Sequence, residues 1–243
     1  KATAIKLASK GNNLILTGRR EDRLEDLAED IEDKYDVQVE TLVFDIRNEA
    51  ETTLAIQSLG EKAENIEILI NNAGLAMGLA PIHEGNIQHW NTMIDTNIKG
   101  LLFMTRLIAP AMVRKNKGHI INICSTAGKE AYPNGNVYCA TKFAVDALTK
   151  SFRQDLYKYN IRVSQVAPGA VENTEFALVR FEGDADKAKI YNDFNPLKSD
   201  DIANIIDFII SQPANVNIQD VLVMATQQAS AVLIDRSGRK FDQ

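Results

Sequence analysis

The chain has 243 residues, 45% hydrophobic and 25% charged, with a net charge of −6; that balance suits one globular α/β unit with a sizeable core. The acidic excess argues against a nucleic-acid or anionic-membrane partner, and no apolar run approaches the ~18 residues of a membrane span, so a cytoplasmic location is expected. Cys124 and Cys139 are too few and too irregularly placed for a disulfide framework or zinc site, and His83, His89 and His119 lack metal-ligand spacing, which leaves surface or capping roles.

In chain order, short β-rich runs alternate with longer amphipathic ones. Residues 1–11 read as a helix, 13–18 as a buried strand, and 21–35 as a helix with Leu24, Leu27, Ala28 and Ile31 at helical spacing. A strand over 37–44, a helix over 49–63 and a strand over 66–70 follow. Residues 90–116 form a long helix, 119–125 a strand and 136–159 a second long helix. A strand over 161–167, a helix over 200–211 and a strand over 218–225 complete the pattern. With no repeat, low-complexity stretch or linker, one domain over 1–243 is expected. Strands buried on both faces and separated by helices predict a doubly wound parallel sheet of Rossmann type, a three-layer sandwich. Such sheets bind ligands beyond the carboxyl ends of their strands. The residues to inspect are therefore Gly18-Arg19-Arg20, Asp45-Ile46, Asn71 to Gly74, Ser125 and Pro168-Gly169.

One stretch, "NVYCATK", sets Tyr138 four places before Lys142, so a helix presents both on one face. A free phenol has a pKa of about 10, and a cation in contact with it favours the phenolate. Tyr138 is thus a candidate general acid/base, Lys142 its electrostatic tuner, and Ser125 a short donor suited to polarising a carbonyl oxygen. Each residue alone has an ordinary reading: a packed ring, a solvated charge, a turn cap, and for Asn97 a helix kinked by a local side-chain bond.

Taken together, "NNAG" (71–74), Asn97 within "IDTNIKG", Ser125 after "HIINIC", "YCATK" (138–142) and "PG" (168–169) resemble the short-chain dehydrogenases/reductases in order and spacing, over essentially the whole chain. "GRRED", "NNAGLAMG", "MIDTNIKG", "STAG", "TEFALVRFEGD" and "ANVNIQD" are similar to the NADP-dependent branch acting on serine, allo-threonine and other 3-hydroxy acids. The resemblance implies a catalytic set of Asn97, Ser125, Tyr138 and Lys142. It gives the lysine a second task on the nicotinamide ribose and gives Asn97 a water-bridged proton relay to that lysine. It also implies a homotetramer acting on a small hydroxy-acid or carbonyl substrate.

For the cofactor, Arg19 and Arg20 stand where NAD-preferring enzymes usually place a carboxylate, and two guanidinium groups can fork onto a 2′-phosphate, so NADP is expected. Asp45 and Ile46 are expected at the adenine. Asn72, Ala73 and Gly74 are expected at the ribose, and Pro168, Gly169, Ala170, Val171 and Thr174 along the nicotinamide. Glu172 and Asn173 make that last turn unusually polar. Arg180, in a substrate or lid segment over about 172–198, is the candidate partner of a substrate carboxylate. Two rivals stand beside this reading: a reductase of a neutral ketone (a diketone, pterin side chain or steroid) on the same fold, and a non-catalytic module that lost nucleotide binding. The family opens with a strand and glycine-rich turn that this sequence lacks, so roughly 10–20 further residues upstream are expected in the natural protein. That strand would lie between those at 13–18 and 66–70.

Overall fold

The computed structural model describes residues 1–239. Among these residues eight strands form: β1 (Leu14–Gly18), β2 (Val39–Val43), β3 (Ile68–Asn71), β4 (Gly118–Ile123), β5 (Ile161–Pro168), β6 (Val171–Glu172), β7 (Leu197–Lys198) and β8 (Asp220–Val223). All named pairings are parallel, in the orders β1–β2, β3–β4–β5–β8 and β6–β7. Among the described residues no strand bridges β1 and β3, the place where the missing strand was expected. The two parts nevertheless share one core: Leu42 and Phe44 join Leu69, Ile120 and Val163 around Met104, Ile108 and Met112. Ile120, Ile121, Val163 and Val166 are wholly buried, as strands covered on both faces must be.

Among the described residues nine α-helices surround these strands: α1 (Ala2–Ala8), α2 (Glu21–Glu32), α3 (Glu49–Ser58), α4 (Glu61–Glu64), α5 (Ile87–Ile94), α6 (Leu101–Lys115), α7 (Asn136–Leu156), α8 (Phe176–Arg180) and α9 (Ser199–Ile210). α9 lays Ile206 and Ile209 on Ile121 and Val166, and α1 packs on α9. α6 covers the opposite side of β3 and β4. The predicted helix over 49–63 breaks at Gly60, whose φ of 54° is the left-handed region that glycine enters freely. The predicted helix over 90–116 starts earlier, at Ile87, because Asn86 caps it by accepting from Gln88 N–H and His89 N–H. It also contains a widened π turn at Asp95–Gly100, which helical periodicity does not reveal.

Buried polar groups tie the layers together. Asn71 Nδ2 donates to Thr105 Oγ1 (3.1 Å) and Asn122 Oδ1 (2.9 Å), and Asn122 Nδ2 donates to Thr149 Oγ1 (2.9 Å). Asp146 on α7 accepts from Lys129, Lys150 and Gln165 at 2.5 Å each, and these bonds hold its carboxyl down at about 2. His119 departs from the surface or capping role expected of it. It lies inside β4, almost wholly buried, with Nε2 2.8 Å from Ser164 Oγ and Nδ1 unpartnered. Burial, seconded by Arg162, lowers its pKa from 6.5 to about 4. Cys124 and Cys139 are free and buried.

A buried neutral histidine must take up its proton late, so the unfolded chain binds more protons between the two pKa values. His119 therefore contributes stability in full above pH 6.5, lost as pH falls towards about 4. Asp146 adds a second loss below that, as its own carboxyl protonates between about 4 and about 2. Urea midpoints measured from pH 7 to 4 should fall steadily in the parent chain, and His119→Gln should flatten that decline.

Candidate active site

The strand ends converge as the fold class requires. β3 delivers "NNAG": Asn71 points into the interior network, whereas Asn72, Ala73 and Gly74 are exposed beyond the strand. Facing them is Asn97, 1% exposed, on the π turn. Its amide does not make the local bond that would kink its own helix. Instead Oδ1 accepts from Leu75 N–H (2.8 Å), and Nδ2 donates to Leu75 O (2.8 Å) and to Thr141 Oγ1 (3.0 Å). Thr141 Oγ1 in turn donates to Tyr138 O (2.8 Å). One side chain thus fastens the loop after β3 to the first turns of α7. Thr141 stood within "YCATK" but offered no separate signal, since a threonine inside a helix is usually only a packed residue.

α7 buries both Tyr138 and Lys142, at 7% and 5% exposure. Lys142 Nζ donates to Ile123 O (2.9 Å), and burial lowers its pKa from the ordinary lysine value. Burial pushes the Tyr138 phenol up, opposite to the fall expected from its lysine, and the influence of the neighbouring Ser125 only partly opposes the rise. The lysine's ammonium is turned to the end of β4, and a buried phenol resists becoming an anion. Ser125, after β4, accepts from Ala127 N–H (3.1 Å) and makes a long contact with Pro168 O (3.5 Å). A protonated phenol beside a serine hydroxyl offers two donors to one incoming oxygen atom.

The residues expected to hold a dinucleotide lie along the same edge. A methyl group on Gly74 would stand 3.2 Å from Lys142 Nζ and 3.4 Å from Asn97 Oδ1, so glycine keeps this approach open beside the ammonium. That cradle, with the exposed Asn72 and Ala73, fits a ribose. Arg19 and Arg20 are exposed after β1. Asp45 is engaged by Arg47, whose Nε lies 3.0 and 2.9 Å from its two oxygens, and this pairing lowers its pKa. Ile46 packs towards Gly100 at the end of the π turn. Past β5, Gly169 N–H donates to Val223 O (2.7 Å) and Ala170 N–H to Gln228 Oε1 (2.9 Å). Val171 belongs to the β6–β7 ladder, and Thr174 Oγ1 accepts from Phe176 N–H (3.3 Å) at the entrance to α8. Asn173 has a φ of 58°, a left-handed turn that accounts for the unexpected polarity there.

α8 brings Arg180 to Tyr138. Its guanidinium carbon lies 5.2 Å from the Tyr138 ring centre, 5.5 Å from Phe176 and 5.8 Å from Tyr132. Nη2 donates to the Tyr132 hydroxyl (2.6 Å), while Nε is buried without a partner. Tyr132 was not anticipated, because nothing in the sequence marks a loop tyrosine as the seat for an arginine. Tyr138 also lines a pocket of about 160 Å³, together with Met77, His89, Trp90, Met93 and Asn136. His89, expected at the surface, is a wall residue whose Nε2 sits 3.5 Å from Glu182 Oε1. Among the described residues no cluster of His, Cys, Asp and Glu suits a metal ion, and no helix is long and apolar enough to cross a membrane.

Residues 1–184 match the family described as short chain dehydrogenase. The NADP-dependent 3-hydroxy acid dehydrogenase YdfG of Salmonella typhi is 43% identical over 231 residues, covering 95% of this chain and 92% of that protein. Sulfoacetaldehyde reductase 2 of Chromohalobacter salexigens is 42% identical over 239 residues, covering 97% and 94%. Among solved structures, the closed form of serine dehydrogenase complexed with NADP+ superposes with a TM-score of 0.89 at 40% identity, covering 100% of this chain and 94% of that one.

Replacing Asn97 with alanine strips a partner from both backbone groups of Leu75. The expected outcome is a loss of about 1–3 kcal/mol in stability, the usual cost of stranded polar groups, measured by denaturant unfolding. Faster hydrogen exchange at Leu75 should accompany it.

Proposed function

The chain belongs to the short-chain dehydrogenase family, and we propose that within it Asn97, Ser125, Tyr138 and Lys142 serve the oxidation of a small 3-hydroxy acid such as serine, allo-threonine or 3-hydroxyisobutyrate, or the reverse reduction. It is an NADP-dependent oxidoreductase. NADP, when bound, supplies or accepts the hydride at its nicotinamide ring. Arg19 and Arg20 take the 2′-phosphate, and Asn72, Ala73 and Gly74 line the adenosine side, with Asp45 and Ile46 at the adenine. Pro168, Gly169, Ala170, Val171 and Thr174 line the nicotinamide side.

The proton chemistry is read from the buried hydroxyls. Tyr138, kept protonated by burial, gives its proton to the oxygen of a carbonyl substrate while Ser125 donates a second hydrogen bond to that oxygen. In the oxidising direction the phenol must first lose that proton. Lys142, its ammonium between Ile123 O and the Gly74 cradle, favours the resulting anion and fastens the neighbouring ribose. Asn97 holds the Leu75 backbone and Thr141 in place, and thus both flanks of the tyrosine.

The observation that carries the substrate class is Arg180: a buried cation against the tyrosine ring whose Nε has no partner within the protein. An unpaired buried donor of this kind costs about 1–3 kcal/mol until a ligand satisfies it, and a carboxylate does so with a matching charge. The small pocket limits the remainder of the substrate to a few atoms. A neutral ketone reductase would have no use for that guanidinium. A sulfonate would use it as well as a carboxylate does, and the likeness to sulfoacetaldehyde reductase 2 gives that variant a specific footing.

The test is NADP reduction over a panel of 3-hydroxy acids, a 2-hydroxysulfonate and neutral alcohols of equal size. The anions should give the higher kcat/KM, and equal values for the neutral alcohols would defeat the assignment. Tyr138→Phe should lower kcat by about 10²–10⁴-fold. Arg180→Ala should raise KM for the anionic substrates much more than for neutral ones. Because the phenol is raised, the oxidation rate should climb through the alkaline range, while the reduction rate should fall there.

A further inference from the structure

α8 has a second anchor, at the opposite end from Arg180. Glu175, at the entrance to this helix, receives Arg20 in a two-pronged pairing, Nη1 to Oε1 at 3.2 Å and Nη2 to Oε2 at 2.7 Å. Arg23 adds a third bond, Nη1 to Oε1 at 2.8 Å. These contacts run between residues more than 150 positions apart in the chain, from the start of α2 to the segment that covers Tyr138. Arg20 is also the residue to which the proposed function gives the cofactor's 2′-phosphate. A phosphate and a carboxylate are the two anions a guanidinium fork fits best, so they compete for the same donors.

We propose that Glu175 is an internal stand-in for the 2′-phosphate: it latches α8 over Tyr138 until NADP(H) takes Arg20 away, so that the phosphate which distinguishes NADP from NAD also unlocks the substrate side of the site. This rests on the reading of Arg20 as a 2′-phosphate ligand. Three features suit the latch to that task. Its partners are half-exposed, with side-chain exposures of 55% for each arginine and 44% for Glu175, so the pairing is weak enough to yield to a dianion. The two arginines hold the Glu175 carboxyl down at about 2, so it stays charged at any working pH and opens to a ligand rather than to a proton. And α8 is a single short helix, Phe176–Arg180, with Glu175 at its entrance and Arg180 against Tyr138 at its far end, so releasing the first frees the second to shift. Other ties of this segment, Gly78 N–H to Arg180 O (2.9 Å), Arg180 to the Tyr132 hydroxyl (2.6 Å) and His89 to Glu182, lie on the substrate side and are untouched by the cofactor's adenosine end.

The experiment is fluorescence titration of the full-length protein with NADPH and with NADH, at low and at raised ionic strength. Glu175→Gln should tighten NADPH about two- to fivefold at low salt, the range expected from removing one exposed ionic competitor, and leave NADH unchanged. Glu175→Asp should restore most of the parent behaviour, and Asp186→Asn, which removes a more exposed charge from the same segment, should have no effect. In hydrogen exchange, NADPH but not NADH should loosen the backbone of 175–180 in the parent. Unchanged or weaker NADPH binding by Glu175→Gln overturns the proposal, as does an equal gain for NADH or for Asp186→Asn. Arg20→Gln separates the two layers of argument. If it weakens NADPH while Glu175→Gln does nothing, only the latch is lost. If it leaves NADPH binding intact, the 2′-phosphate reading fails and the latch with it.

Discussion

The amide of Asn97 is the constraint on which the geometry of the site depends. A primary amide has a fixed plane with an acceptor on one side and donors on the other, and this one is used on both. It closes a two-way exchange with the Leu75 backbone and reaches across to Thr141. Because it is buried, no water can replace a lost partner. The π turn at Asp95–Gly100 inserts the residue where an unbroken α-helix would turn it elsewhere, so a local defect in regular structure sets the distance between the loop after β3 and the first turns of α7. The spacing of Gly74, Lys142 and Tyr138 follows from that one fastening.

Burial then governs the chemistry. Water is kept from Tyr138 and Lys142, which disfavours the charged form of each, raising the phenol and lowering the ammonium so that the two pKa values part. The protein at rest therefore holds a protonated phenol ready to donate, and an ammonium that has given up solvent for a strand-end carbonyl. In the direction that needs a phenolate, charge has to come from what binds. The Arg180 guanidinium, stacked on the same ring, is the other cation within reach, and its interaction with an ionised Tyr138 favours the anion. On the proposed assignment an anionic substrate would share this cation with the tyrosine, which would make proton release sensitive to what occupies the pocket.

Much of this was legible in the residues. The i,i+4 pair in "NVYCATK" predicted a shared helical face, and alternating strands and helices predicted the parallel order around β4. Residues after each strand were the right place to search, because parallel strands end together at one edge. What stayed hidden was whatever depends on long-range contact. The π turn leaves no periodic trace. Tyr132, Thr141 and Glu175 matter only through partners far away in the chain, and each alone reads as an ordinary loop, helix or surface residue. The direction of the Tyr138 shift was misjudged because spacing reports neighbours and says nothing about how dry they are. His119 was misjudged for the same reason: a histidine before an apolar run reads as a boundary residue, and only the register of β4 against β5 shows it enclosed.

The short ladder between Val171–Glu172 and Leu197–Lys198 has a wider meaning. It brings the chain back to where it left, so everything between Glu172 and Leu197 is an excursion whose ends are pinned together at the rim of the sheet. Closing such a loop costs little more for a long insert than for a short one. Its contents reach the site at a few points, Phe194 against Ala170 and Arg180 against Tyr138, while the central strands that carry Ser125 are built without it. New substrate ranges can accordingly arise by exchanging this excursion wholesale, cassette-fashion, while the machinery beneath it is inherited intact.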